Sequence, residues 1–159
     1  VKTLYVKEWD EPTNESGEVL MIGPQRPKDC LGCWSCWWTT PGKCVHKDLD
    51  EFYHGYVSVD RAIFFGKVTD DFVSGPMKSL FDRMICLFLP YTVVSKERRT
   101  RHLPRYEHYP KIEYYYDGDF ESPATEQLFV DYIDYVFREF YSHEIDVKPV
   151  SEFRESAHR

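Results

Sequence analysis

Five cysteines stand in this chain, and four of them fall within fifteen residues, as Cys30-Leu31-Gly32-Cys33-Trp34-Ser35-Cys36 and then Cys44. The spacing Cys-x2-Cys-x2-Cys-x7-Cys puts three thiolates on one tight loop, where they can meet a single metal centre. Gly32 lets the backbone turn sharply between them. Soft thiolates select iron–sulfur clusters or zinc. Ferredoxin-type clusters begin with the same two x2 gaps, whereas zinc sites more often use two separated Cys-x2-Cys knuckles. Cys30, Cys33, Cys36 and Cys44 are therefore candidate ligands of a 4Fe–4S cluster or of zinc. The competing reading is a reduced structural loop that packs small thiols beside aromatic rings. A third chemistry, thiol redox sensing by Cys33 and Cys36, needs a depressed thiol pKa. Cys86 sits in an apolar stretch and reads as inert core.

Other residues with chemical potential are more scattered. Asp70-Asp71 follows an apolar run that ends a strand, the position where ligands bind in open α/β sheets; a carboxylate pair there competes with a solvated loop. Lys78 and Asp82 stand four apart on an expected helix and can pair at its surface, with Arg83 anchoring that helix to a neighbour. Lys96, Arg98, Arg99, Arg101 and Arg105 form a local basic stretch that could meet the phosphates of a nicotinamide cofactor or an acidic partner. The six histidines, His46, His54, His102, His108, His143 and His158, show no helical i, i+4 pair and no ligand spacing. No nucleophile elbow, glycine-rich P-loop or zinc-protease motif is present.

These residues must be positioned by a series of strands and helices. Lys2 to Trp9 and Glu18 to Gly23 read as strands on either side of a turn-rich stretch, Asp10 to Gly17. The cysteine loop closes at Pro41-Gly42, and Asp50 is placed to cap a short helix through Tyr56. Ala62 to Val68 is a continuous apolar run suited to a strand buried on both faces. Pro76 to about Leu89 carries Met77, Leu80, Phe81, Met84, Ile85 and Phe88 at helical spacing, and Pro76 suits a first turn. Residues 90–110 read as a long polar loop, Lys111 to Tyr116 as a strand, and Ser122-Pro123 as the start of a long helix. In that helix Leu128, Tyr132, Val136 and Phe140 repeat every four residues, with Phe129, Ile133 and Phe137 alongside. Glu144 to Val150 reads as an edge strand, and the charged tail from Glu152 is expected to fray. Strands alternating with helices predict a parallel, doubly wound α/β sheet in one domain over residues 1–151.

Composition bounds the function classes. Hydrophobic residues make up 42%, which excludes disorder as the default state, and a formal charge of −7 argues against nucleic acid as a partner. Aromatic residues reach 17% and cluster in blocks, which points to a thick core or a partner surface. The longest apolar run, Met84 to Pro90, is too short to span a bilayer, and Val1 to Val6 reads as a strand rather than a secretory leader. An odd cysteine count bunched in one segment fits reduced thiols in a cytoplasmic setting.

The cysteine segment, continued as Pro41-Gly42-x-Cys44-x3-Asp48, resembles that of the NAD(P)H-dependent FMN reductases and iron–sulfur flavoproteins. Ser74-Gly75-x2-Lys78-x3-Asp82-Arg83 is similar to the helix start that follows their third strand. The two motifs span roughly residues 18 to 90. The resemblance implies a flavodoxin-like three-layer sandwich, a flavin-dependent oxidoreductase activity with FMN as cofactor and NAD(P)H as co-substrate, a small-molecule or flavin substrate, and a homodimer. It places FMN against Lys67, Val68, Thr69, Asp70, Asp71, Phe72 and Ser74, and against Asp117 and Gly118 on the next loop. Two departures stand out. Asp10 to Gly17 is too short for a phosphate loop plus a crossover helix, so the first crossover helix is expected to be missing, and Asp10, Glu11 and Glu15 would repel a phosphate. The Pro-x-Tyr segment that lies against the flavin ring is replaced by Lys67-Val68-Thr69-Asp70-Asp71-Phe72. The alternative is a non-enzymatic binding module that has kept the fold and lost FMN, its cysteine loop holding a metal or touching a protein.

Overall fold

Alternation along the strands builds two unequal layers against one sheet. The structure is a computed structural model that describes residues 1–96 and 98–157. Strands β1 (Thr3–Lys7), β2 (Glu18–Met21), β3 (Arg61–Thr69), β7 (Lys111–Asp117) and β8 (Ile145–Pro149) form a parallel sheet in the order β2-β1-β3-β7-β8. Taken in chain order, these five strands run 2-1-3-4-5, with the order reversing between β1 and β3. The expected parallel, doubly wound sheet is present.

Because successive side chains point to opposite faces, Leu4, Val6, Ala62, Phe64, Ile112 and Tyr114 face one way. They meet Phe52 and Tyr56 of α2 (Asp50–Ser58), Met77 and Leu80 of α3 (Gly75–Arg83), and Phe129, Ile133 and Phe137 of α4 (Pro123–Glu139). Tyr5, Ile63 and Phe65 face the other way, against Val150 and Phe153 of α5 (Val150–Ala157). No helix joins β1 to β2. Residues 9–17 cross this second face in its place, with Trp9 edge-on to Phe65 at 6.0 Å and Glu15 paired with Arg61. The absence of the first crossover helix was legible in the short Asp10–Gly17 spacer.

Several boundaries differ from the periodicity. The helix expected over 76–89 ends at Arg83. The Met84 amide is shared between the Leu80 and Phe81 carbonyls, a tightening that leads into a 3-10 turn over Met84–Leu87. Residues 90–110 are not a loop throughout: β5 (Phe88–Val94) and β6 (Thr100–Pro104) form an antiparallel hairpin. Leu128 is exposed on α4 while Phe129, Ile133 and Phe137 are buried, so the buried stripe is the second of the two repeats. Asp50 occupies the first helical position of α2, and Leu49 the cap. The tail expected to fray is helical through Ala157, held by Phe153 against Phe65 and Tyr115 at centroid distances of 4.9 and 5.0 Å. His158 and Arg159 lie outside the described residues, as does Glu97 within the basic stretch.

Candidate functional site

At the carboxyl ends of the strands, β3 overshoots the sheet and folds back as a hairpin with β4 (Phe72–Val73), pairing Thr69 with Phe72. Asp70 and Asp71 are the two turn residues, with φ of 50° and 60°. A two-residue turn of this kind needs positive φ at both positions, and aspartate tolerates it better than most side chains. Asp71 Oδ1 accepts from the Glu121 amide at 2.8 Å and from Thr125 Oγ1 at 3.4 Å. Gly118, at φ 140°, allows the loop after β7 to press on β3, since a Cβ there would lie 2.9 Å from Val68 Cβ. The fold thus brings together both groups of residues the sequence singled out, Lys67–Phe72 with Ser74 and Asp117 with Gly118. The Asp71 carboxylate is engaged in holding the neighbouring loop.

Glu8, which the sequence reading passed over, is the buried centre of this end. It follows β1, is 5% exposed, and accepts hydrogen bonds from the Lys67 amide and from Ser74 Oγ. Ser74 Oγ in turn caps α3 by accepting from the Met77 amide at 3.2 Å. Burial pushes the Glu8 carboxyl up, against the opposing pull of Ser74 and the Lys67 amide. Glu11, also buried, accepts from Trp9 Nε1 at 2.7 Å and from Arg154 Nε and Nη2 at 3.0 and 2.7 Å. The Arg154 contact holds its carboxyl below the usual range despite burial.

The residues at the end of β1 do not fit the phosphate of FMN. A phosphate cradle presents free amides at a helix N-terminus. Here no helix follows β1, and two carboxyl groups, each with its own donors, occupy that end instead. The residues after β3 and β7 present a different surface. Phe72 keeps 39% of its area exposed beside Tyr132, with ring centroids 4.7 Å apart, and so offers an apolar face next to polar turn residues.

A second site lies in the cysteine segment. Trp34, in a left-handed conformation at φ 60°, starts the short helix α1 (Ser35–Trp38). Trp37 Nε1 donates to the Ile85 carbonyl at 3.2 Å, and its ring packs on Trp34 and His102, both at 4.8 Å. The helix turns Cys36 inward while Cys30 and Cys33 stay exposed on the loop before it; Cys44 is half-buried. All four line a cavity of about 80 Å³, together with Arg83 and Cys86. Among the described residues no three His, Cys, Asp or Glu side chains are grouped to hold a metal ion. The four-cysteine ligand set expected from the spacing is therefore not assembled: equal gaps in sequence do not give equal directions once α1 begins between Cys33 and Cys36.

Cys86, which the sequence left as inert core, borders the same cavity as Cys36. Interaction with Cys86 lowers the Cys36 thiol to about 7 against the cost of partial burial. The same interaction, joined by burial, pushes Cys86 up. Cys33 is also held low, by its hydrogen bonds from Ser35.

The two sequence motifs are joined by one ion pair. The Arg83 side chain is fully buried and forks onto Asp48, Nη1 to Oδ2 at 2.8 Å and Nη2 to Oδ1 at 2.5 Å, with Nη1 also reaching the Lys28 carbonyl at 3.2 Å. Lys78 pairs with Asp82 on the surface of α3. Arg83 and the Lys78–Asp82 pair thus have structural partners. The basic stretch is largely occupied too. Arg105 donates to the Cys86 and Phe88 carbonyls at 3.1 and 3.0 Å, Arg101 lies 3.9 Å over the Tyr141 ring, and Arg99 lies 5.2 Å over Tyr135.

No family model and no curated protein matches the chain. Solved structures do. The azoreductase AzrA superposes with a TM-score of 0.59 at 11% identity, covering 99% of this chain and 92% of its own. An azoreductase from Bacillus anthracis str. Sterne gives 0.56 at 11% identity, covering 99% and 91%. The fold is flavodoxin-like. An apo NADH:FMN oxidoreductase, EMOB, also matches, at a TM-score of 0.49 and 11% identity over 98% of this chain and 79% of its own. No helix among the described residues is long and apolar enough to cross a membrane.

Proposed function

We propose that this chain is an oxidoreductase resembling the NAD(P)H-dependent FMN reductases, and that it engages flavin through the ring rather than through a phosphate cradle. The observation that carries this reading is the pinning of the loop after β7 onto the hairpin after β3, through Asp71, the Glu121 amide and the Gly118–Val68 contact. Thr69, Asp70, Asp71, Phe72 and Ser74 on one side and Asp117 and Gly118 on the other would hold the ring, with Lys67 and Val68 supporting them from the strand. A bound flavin supplies hydride or single-electron transfer between a nicotinamide donor and a small acceptor. The protein contributes position: Phe72 offers an apolar face, and the bound Asp71 carboxylate fixes the loop spacing.

At the other end, Glu8 opposes an anion, whereas the charge of Glu11 is matched by Arg154. A carboxylate and a phosphate dianion roughly 8 Å apart repel by about 4 kcal/mol at an effective dielectric of ~20, before salt screening. Riboflavin, which lacks the phosphate, is therefore expected to bind about tenfold or more tightly than FMN at low salt. Fluorescence quenching of each flavin measures this. Equal or tighter binding of FMN would refute the exclusion of phosphate. No quenching by either flavin would overturn the enzyme reading in favour of the non-enzymatic binding module. A cytosolic setting and pairing of two copies belong to the same proposal, and exposed Trp34, Trp38, Tyr91 and Val94 are apolar surface that a second copy could cover. Sedimentation at micromolar concentration checks the pairing, and a monomer would sink it.

A further inference from the structure

The hairpin of β5 and β6 carries a surface that the flavin reading leaves unused. Past Pro90 it stands clear of the body: Tyr91, Val93 and Val94 are 61%, 40% and 70% exposed. Successive side chains of a strand point to opposite faces, so both faces of β5 meet solvent at Val93 and Val94. Among the described residues β5 pairs only with β6, which leaves its outer edge without a backbone partner. Exposed edges are usually blunted by proline, a bulge or charge. Pro90 and the register shift between Phe88 and Thr92 guard the root of this edge. Tyr91-Thr92-Val93-Val94 beyond them carries no proline and no charge.

Cations gather at the tip of the same hairpin. The sequence from Ser95 to Arg101 holds Lys96, Arg98, Arg99 and Arg101 against one carboxylate, in a chain of net charge −7. No ion pair among the described residues uses any of the four. Arg99 and Arg101 rest on the rings of Tyr135 and Tyr141, and Arg101 Nη2 also donates to the Arg138 carbonyl at 2.7 Å. Ring contacts of this kind position a guanidinium but leave its charge unneutralised. Lys96 and Arg98 are exposed, and neither side chain has a partner among the described residues.

We propose that β5 is a docking strand for an extended, acidic segment of a partner protein. The segment adds to the free edge over Tyr91–Val94 and sets its carboxylates against Lys96 and Arg98, with Arg99 and Arg101 adding to the field. Backbone bonds to the edge supply affinity, and charge supplies the choice of partner. Carboxylates complement the one place where this acidic chain is locally basic, which also favours encounter there. A free phosphate or an anionic membrane would meet the cations but leave the backbone edge and its apolar side chains unmatched. An uncharged strand would leave the cations unmatched. The docking does not involve flavin, so it stands or falls separately from the oxidoreductase reading.

The probe is a fluorescent peptide of alternating valine and threonine that ends in a run of glutamates. One control peptide carries lysines in place of the glutamates, and another carries prolines at alternate positions of the strand. Anisotropy with the full chain reads binding. The acidic peptide is expected to bind, and the lysine and proline peptides to bind about tenfold or more weakly. Replacing two exposed residues together, Lys96→Glu with Arg98→Glu, should exchange the preference, so that the lysine peptide binds tighter than the acidic one, with the thermal melt unchanged. An unchanged preference in that variant, or no binding of any peptide, overturns the proposal. Equal binding of the proline peptide reduces the site to a patch of charge and overturns strand addition. Displacement of the acidic peptide by stoichiometric NADPH, or binding to phosphatidylserine vesicles in place of the peptide, assigns the cations to phosphates and overturns it as well. Peptide binding that appears only as the chain is diluted to a monomer assigns the edge to a second copy, with the same consequence.

Discussion

Replacing Asp48 with Asn tests whether the ion pair between the two motifs holds the cysteine segment to the sheet. The Arg83 side chain is fully buried and Asp48 keeps 28% of its side-chain area exposed. Removing one partner of a buried pair costs about 3–5 kcal/mol, because the other charge stays behind without compensation. Asparagine can still accept one hydrogen bond and Asp48 is partly in water, so we expect a loss of about 2–3 kcal/mol at neutral pH. Equilibrium unfolding in urea measures it, with a midpoint lowered by roughly 1–2 M for an m-value of about 1.5–2 kcal/mol/M. Burial raises the Asp48 carboxyl, but the Arg83 fork and the Lys28 amide outweigh it and bring the group from 3.8 to about 2. A carboxylate depressed in the folded state contributes stability that is fully present above its unfolded pKa and is lost as pH falls through the folded one. The gap between the native protein and Asp48→Asn must therefore narrow between about pH 4 and pH 2, with roughly half of it gone near pH 3. Replacing both partners by apolar residues, Asp48→Leu with Arg83→Met, is expected to restore most of the loss. A loss under about 0.5 kcal/mol at neutral pH, or one unchanged down to pH 3, would refute the reasoning.

Other outcomes follow from the same packing. A Cβ on Gly66 would lie 1.9 Å from Tyr114 Oη and 3.1 Å from Met77 Cε, so Gly66→Ala should destabilise by about 1–3 kcal/mol. Because Tyr114 Oη is buried without a hydrogen-bond partner among the described residues, Tyr114→Phe should be neutral or stabilising and should recover part of the Gly66→Ala loss, read from thermal melts. Losing the donor to Glu8 and the α3 cap together, Ser74→Ala should cost about 1–2 kcal/mol by urea unfolding. Glu8 titrates in the opposite sense to Asp48. Its folded pKa is raised by burial, so the charged form weakens the fold above that pKa and the penalty lifts as pH falls through it. Glu8→Gln should then be neutral or stabilising at pH 7 and should narrow the preference for riboflavin over FMN; a wider preference would contradict the role given to Glu8.

The elements were largely legible in the chain because their signals are local. Continuous apolar runs marked the buried parallel strands, Ser74 and Ser122 each precede a helix they cap by accepting an amide three residues on, and the ten residues between β1 and β2 were too few for a crossover helix. Local signals also misled. The apolar period that predicts a helix through Leu89 continues unbroken into β5, since a buried turn and a strand start need the same apolar residues. The candidate site was legible only as two groups of residues, those after β3 and those after β7.

What the sequence determined by itself was the alternation of elements, the missing first helix, and the two cysteine and Ser-Gly motifs. Tertiary structure decided which groups meet. Glu8 finds Ser74 sixty-six residues away, Arg83 finds Asp48 thirty-five residues away, and Cys36 comes to share a cavity with Cys86. The physical reason is that spacing along a chain fixes which side chains share a loop, whereas direction and burial are set by the helix that begins within that loop and by the elements packed against it.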